Sequence, residues 1–456
     1  MRKTARYYDV PSWQEQYRLK LVQAEEAAQQ IKDHDCVALS AGINVPKAFQ
    51  EAICKRVMGE NFEHIDLLAT FLQEQMEFMK PEYKDKITIH SGFFSAERVC
   101  ANNGNAFPIP FNLAEGDWWQ KRLAPRVHAV TVSTPNEDGW MCRSGWGGWT
   151  QRYGAGFQSP STELVVVEVN ENLPFVCGDL PGNNLGIHVS EVDYIIENND
   201  ALPEIKGVPA TPEEEAIAGY IAEYIRDGAC LQLGVGSLAD AIGHHLSDSG
   251  KKDLGIHTEA IGNALVPLMA KGVVNNSKKI LNPGVSVACY LSGDKNLWKF
   301  AHHNKDLCFC EVAYCNSYDV ITKQENVVSI NNALEIDLTG QVCSESIGPR
   351  QWSGTGGQLQ WVLASQFAKG GQSFIAVNAT YKDKQGNLQS KIKPYLNPGA
   401  VITTPRSLVQ YIVTEFGVAD LKFKNTKQRA EAMIQIAHPD FRDQLTFEAK
   451  KMGFLS

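Results

Sequence analysis

Apolar positions along the chain alternate between a helical period and short continuous runs. Ala27, Ala28 and Ile31 fall on one side of residues 11–32, which predict a helix. Asp33-His34-Asp35 breaks it, and Cys36-Val37-Ala38-Leu39-Ser40-Ala41-Gly42 predicts a strand ending in a glycine turn. The same order returns later. Residues 213–226 read as a helix, Asp227-Gly228 as the break, and Ala229 onward as a strand that ends at Gly234. This internal repeat points to two similarly built α/β halves.

Further strands are predicted at residues 127–133 and 164–169, the second a nearly continuous apolar run typical of a strand buried on both faces. Residues 331–340 alternate like a strand. Gly356-Gly357 precedes a helix over 358–369 that Gly370-Gly371 closes, and strands follow at 373–377 and 410–414. The alternation of helix and strand is a doubly wound α/β pattern. Leu202-Pro203 through Val208-Pro209 reads as a linker. Thr211-Pro212-Glu213-Glu214 is a helix start, with a hydroxyl cap, proline at the first helical position and a glutamate completing a capping box. The division is therefore placed between residues 1–210 and 211–456.

Composition narrows the class. A chain of 456 residues is long for one core, and 43% hydrophobic with 21% charged residues is ordinary for a globular protein. The net charge of −9 is scattered, which gives no basic footprint for nucleic acid. The opening residues lack an apolar signal core, and no apolar run is long enough to span a membrane. The expectation is a soluble cytoplasmic protein without a nucleic-acid or membrane partner. Eleven cysteines at irregular spacing include no C-x-x-C pair. They read as buried or incidental thiols, with no metal site expected.

The candidate chemistry gathers in the second half. Leu254-Gly255-Ile256-His257-Thr258-Glu259 reads as a strand that ends on a carboxylate, with a helix over 260–271 after it. A carboxylate there lies at the carboxyl end of a parallel strand, where open α/β sheets hold ligands. Gly234-Val235-Gly236-Ser237-Leu238-Ala239 matches G-x-G-x-x-A. With Glu259 downstream it fits a dinucleotide fingerprint as well as plain strand-to-helix packing. Gly354-Thr355-Gly356-Gly357 offers N–H groups at a helix start to an anion or oxyanion, but lacks the Lys-Ser/Thr ending of a P-loop. His257 shares a strand face with Glu259; it reads as a packed core histidine, with orientation of the carboxylate as the alternative. The run from Gly139 to Trp149 holds four glycines and three tryptophans, and either lines a pocket or packs on its own aromatics. Asp117-Trp118-Trp119 reads as packing.

Several segments in register resemble the acetyl-CoA hydrolase/transferase family, especially its 4-hydroxybutyrate and butyryl-CoA:acetate CoA-transferases. They are Leu-Gln-Leu-Gly-Val-Gly from 231, Leu-Gly-Ile-His-Thr-Glu from 254, Ala-Leu-Glu-Ile-Asp-Leu-Thr-Gly-Gln-Val from 333 and Ser-Glu-Ser-Ile-Gly from 344. Ser-Gly-Thr-Gly-Gly-Gln from 353, Val-Thr-Glu-Phe-Gly-Val-Ala from 413 and Ile-Ala-His-Pro-Asp-Phe from 436 complete the set. The first half matches more loosely, through residues 133–139 and 188–193. The resemblance implies tandem CoA-transferase-type halves with the active site at their interface, and Glu259 as nucleophile. It places coenzyme A on Gly234, Val235, Gly236, Ser237, Leu238, Leu334 and Gly357, with Lys391 a phosphate partner. Gly356 and Gly357 are oxyanion candidates from the helix start. It implies acyl-CoA and carboxylate substrates, coenzyme A as substrate and covalent intermediate rather than resident cofactor, and a homo-oligomer built from dimers. The chain departs from the family at residues 142–149 and at Gly182-Asn183-Asn184-Leu185-Gly186, in the half expected to shape the acyl pocket. An acyl-CoA hydrolase, a nicotinamide dehydrogenase and a non-catalytic coenzyme A binder are the rival readings.

Overall fold

Strand Leu164–Val169 is buried at all six positions. Leu164 and Val166 join a core with Val37, Leu39, Phe49, Ile53, Ile65 and Leu67. Val165, Val167 and Val169 join a second with Val130, Val132, Ile187 and Ile195. Successive side chains point to opposite faces, so a strand covered on both sides carries apolar residues on both, with Glu168 the one charged residue here. Burying each such aliphatic side chain contributes about 1.5–3 kcal/mol. In this computed structural model, which describes residues 4–59, 61–116, 122–146, 157–176 and 185–456, that strand belongs to a parallel sheet of seven. Their order is Ala106–Pro108, Ile87–Ser91, Ile65–Thr70, Cys36–Ala41, Val127–Val132, Leu164–Val169 and Tyr194–Glu197. The chain-first strand, Cys36–Ala41, thus lies where the winding reverses. Helix Lys47–Gly59 covers one face with Phe49, Ala52, Ile53 and Val57.

The helix expected over residues 11–32 is two helices, Trp13–Lys20 and Ala24–Ala28. Leu21 turns extended, and Val22 N–H donates to the Ile195 carbonyl at 2.9 Å. The break lets the chain pair with the last strand of the sheet.

A second sheet runs Gly255–Ile256, Cys230–Leu233, Val327–Asn332, Gln372–Ala376, Tyr411–Thr414 and Gly417–Asp420. The first five are parallel and the last antiparallel. In chain order this is 2-1-3-4-5-6, with the switch between Cys230–Leu233 and Val327–Asn332. Open α/β sheets bind ligands in the crevice beyond such a point. Helix Pro212–Tyr224 starts as read: Thr211 and Glu214 form a reciprocal capping box with Pro212 in the first turn. Residues 331–340 are not one strand. Val327–Asn332 ends, Glu335–Asp337 begins a small sheet, and Gly340 turns at φ +88°. Asp337 accepts from the Thr339 and Gln341 backbones and side chains, which closes that turn.

Two compact units divide the chain: Met1–Ile205 with Val287–Cys315, and Lys206–Ser286 with Asn316–Ser456. A single cut near residue 210 does not describe this division, because residues 287–315 return to the first unit. No helix among the described residues is long and apolar enough to cross a membrane.

Candidate active site

Strand Gly255–Ile256 has only two residues, and it is fixed from both sides. Asn276 Oδ1 accepts from Ile256 N–H at 2.9 Å, and Lys279 Nζ donates to the Ile256 carbonyl at 2.8 Å. Gly255 leaves room for that lysine, since a Cβ there would meet Lys279 Cγ at 2.6 Å. Past the strand, Thr258 Oγ1 donates to the Leu233 carbonyl at 2.9 Å and accepts from Leu233 N–H at 3.3 Å. This clamps the end of one strand to the next. Glu259 follows, half-buried, between two extended pieces. The helix read over 260–271 is a correction: residues Ala260–Gly262 are extended and the helix is Leu265–Ala270.

The Glu259 carboxylate is gripped through Oε1. Asn316 Nδ2 donates to it at 2.5 Å and Trp361 Nε1 at 2.9 Å. Both donors are fully buried. A Cβ on Gly357 would lie 1.5 Å from the same oxygen, so the carboxylate occupies the space a side chain would need. Gly357 caps helix Gln358–Phe367, and Gly356 before it has φ +59°. Helix starts favour negative charge nearby. His257 is buried, its ring edge-on to Trp361 with centroids 5.7 Å apart. The core reading of His257 therefore holds, and its neighbour is the indole that holds Glu259.

Gly234, Val235, Gly236, Ser237 and Leu238 leave the carboxyl end of Cys230–Leu233. Gly234 and Gly236 are exposed, and a Cβ at either would meet nothing within 4 Å among the described residues. Packing does not demand these glycines, although Gly236 needs its φ of +107°. Ser237 Oγ donates to Glu214 Oε1 at 2.7 Å, tying the loop to the neighbouring helix start. Leu334 follows the adjacent central strand, so the glycine loop and Leu334 flank the switch point. Lys391 runs beside that segment, its carbonyl accepting from Ile336 N–H at 3.0 Å. Burial pulls the Lys391 ammonium below the usual lysine range, while Glu415 and Glu214 oppose the shift. A phosphate on Lys391 has to compete with those carboxylates.

Residues 2–107 match the acetyl-CoA hydrolase/transferase N-terminal domain and residues 293–449 the acetyl-CoA hydrolase/transferase C-terminal domain. The chain is also 38% identical over 443 residues to the 4-hydroxybutyrate coenzyme A transferase of Clostridium kluyveri, covering 96% of this chain and 99% of that one. It belongs to the acetyl-CoA hydrolase/transferase family. A second relative, the butyryl-CoA:acetate CoA-transferase of Anaerostipes caccae, is 34% identical, with 96% and 98% covered. Among solved structures, RipA from Yersinia pestis superposes with a TM-score of 0.87 at 32% identity, covering 97% of this chain and 100% of that one.

Three residues at or beside this candidate site carry no role in the sequence analysis: Asn316, Trp361 and Glu345. Asn316 directly follows the segment that returns to the first unit, so spacing carries no sign of it. Trp361 had a sign: it stands one helical turn after Gly357, on the same face. Glu345 is buried and holds the loop before the glycines, Oε1 accepting from Thr403 and Oε2 from Gln351 and Thr355.

In the tryptophan-rich run, Trp146 is buried and stacks on Tyr290 at 3.7 Å, filling space that Gly42 leaves open. Packing describes Trp146; Gly147, Gly148 and Trp149 lie outside the described residues, as do Asp117, Trp118, Trp119, Gly182, Asn183 and Asn184. Cys308 and Cys310 are buried. Asp33, His34 and Glu63 form an exposed trio close enough to share an ion.

Proposed function

We propose that the protein is a CoA-transferase that moves CoA between a short-chain acyl-CoA (butyryl, propionyl or 4-hydroxybutyryl) and acetate or a related carboxylate, with Glu259 as nucleophile. The observation that carries this is the Glu259 carboxylate at a strand's carboxyl end, held through one oxygen by Asn316 and Trp361 in the cradle of Gly357. Its relatives' names supply the substrate class.

The carboxylate attacks the thioester carbonyl, forming a mixed anhydride and releasing CoA thiolate. The thiolate adds to the glutamyl carbonyl and expels the first carboxylic acid as its anion, leaving a glutamyl-CoA thioester. An incoming carboxylate runs the two steps backwards. One thioester replaces another, so little free energy is lost while water is kept out. In this reading Asn316 Nδ2 and the N–H groups of Gly356 and Gly357 serve oxyanions near Glu259. Residues 234–238, Leu334, Gly356, Gly357 and Lys391 are the coenzyme A contacts in this reading. CoA enters as substrate and covalent intermediate.

Intact mass after brief exposure to butyryl-CoA tests it. A gain equal to CoA, absent in Glu259→Gln and discharged by acetate to acetyl-CoA, is expected. Consumption of butyryl-CoA without acetate and without adduct identifies a hydrolase instead. Binding of NADH with no reaction of acyl-CoA revives the dehydrogenase.

A further inference from the structure

The spacing Gly357-Gln358-Leu359-Gln360-Trp361 puts two contacts to one oxygen on one helix face. Gly357 is the cap, and Trp361 lies one turn on, its N–H donating to the Gly357 carbonyl at 3.0 Å. Residues four apart share a face, so the bare Cα and the indole N–H both meet Glu259 Oε1. An indole N–H buried this deeply needs an acceptor. Here the acceptor is the carboxylate of Glu259, three residues past the edge strand Gly255–Ile256. The same segment supplies the other side of the grip. His257, two residues before Glu259, packs edge-on against the Trp361 ring at 66° and fixes its plane.

We propose that Trp361 is a catalytic residue of the transfer: its indole N–H keeps Glu259 ionised and aimed through Oε1, with Oε2 as the attacking oxygen. This rests on the transferase reading of Glu259. A half-buried carboxylate tends toward its protonated form unless donors favour the charge, and a protonated carboxyl is a poor nucleophile. Trp361 and Asn316 supply two such donors on one oxygen. The N–H then serves a second step. When the CoA thiolate adds to Glu259 Cδ of the anhydride, a C–S bond forms and the carbonyl electron pair moves onto Oε1, which the indole already faces. Collapse of that adduct restores the carbonyl at Oε1, breaks the Cδ–Oε2 bond and releases the acyl group as a carboxylate bearing Oε2. A donor already in position costs no reorganisation at that moment.

Trp361→Phe keeps a ring for His257 and removes the donor, together with part of a fully buried ring system. The expected enzyme has an unchanged KM for acyl-CoA and a kcat lower by about ten- to hundredfold, the scale of a hydrogen bond to a charged group. Its acid limb of kcat/KM moves to higher pH, which a packing role alone does not produce. Wild-type kcat with an unmoved acid limb overturns the proposal. If the variant fails to fold, 5-fluorotryptophan-labelled protein replaces it. One fluorine resonance should then shift when butyryl-CoA forms the adduct, and stay put in Glu259→Gln with butyryl-CoA bound. Absence of any adduct-dependent shift overturns the role. An adduct on wild-type Glu259 with a fully active Trp361→Phe defeats only the inference. No adduct from any acyl-CoA defeats the transferase reading with it.

Discussion

Gly357 lacks a side chain because Glu259 Oε1 occupies its place, 1.5 Å from where a Cβ would lie. Gly357→Ala must therefore push the carboxylate off its two donors, and a misplacement of about 1 Å at a reacting centre can cost about a hundredfold in rate. The expected outcome is a loss of kcat on that scale with the melting temperature nearly kept; steady-state kinetics and a thermal melt check it. Glu259 and Gly357 each sit in a segment the sequence singles out, and the fold brings the two together. Asn316 was not legible there, and Trp361 only through its spacing from Gly357. An amide and an indole become donors to a carboxylate only when the fold brings them within 3 Å, and the site joins residues 259, 316, 357 and 361 from three stretches of chain.

Between strand and helix, the loop that delivers Gly356 and Gly357 is held by Glu345. Its carboxylate accepts from Gln351, Thr355 and Thr403, and its carbonyl accepts from Trp352 and Ser353 N–H at 2.7 and 3.1 Å. The Ser-Glu-Ser-Ile-Gly segment therefore builds the loop rather than touching Glu259. Glu345→Gln replaces one acceptor oxygen by an NH2 group, turning it against a donor, at about 1–3 kcal/mol. Faster hydrogen exchange over residues 351–357 is expected, with Gln372–Ala376 still protected and kcat reduced. Equal exchange in variant and wild type would remove Glu345 from this role. Elements with strong local signals were read correctly: the Thr211 capping box, the apolar strand Leu164–Val169 and the glycine-started helix Gln358–Phe367. Those set by distant partners were not. Leu21 and Val22 leave a helix to reach Ile195, and Ala260–Gly262 is extended where an apolar run reads equally well as helix.

Across the molecule, the repeat seen in sequence marks the chain-first strand of each sheet, Cys36–Ala41 and Cys230–Leu233, and each lies where its sheet's winding reverses. The return of residues 287–315 to the first unit leaves no such mark, because nothing local distinguishes it. Among the fully buried carboxyls described in the first unit are Glu97 and Glu168, which have no sequence signature. Glu97 accepts from Ser95 and Leu72 N–H at 2.7 and 3.2 Å; Glu168 accepts from Lys47 and Phe49 N–H at 3.1 and 3.2 Å and from Asn198. Burial nevertheless pushes each up to about 7 from an ordinary 4.5. Between those values the folded chain binds more protons than the unfolded one, so stability must fall as pH rises. Their contribution is complete below about pH 4.5 and lost as pH passes 7, at roughly 3 kcal/mol each. Melting temperatures from pH 5 to 8 should show it as a difference. The wild type should lose several degrees relative to Glu97→Gln and Glu168→Gln as pH rises, because the amides do not titrate. A constant gap between wild type and variants across that range would mean that both carboxyls titrate in the folded protein as they do in the unfolded chain.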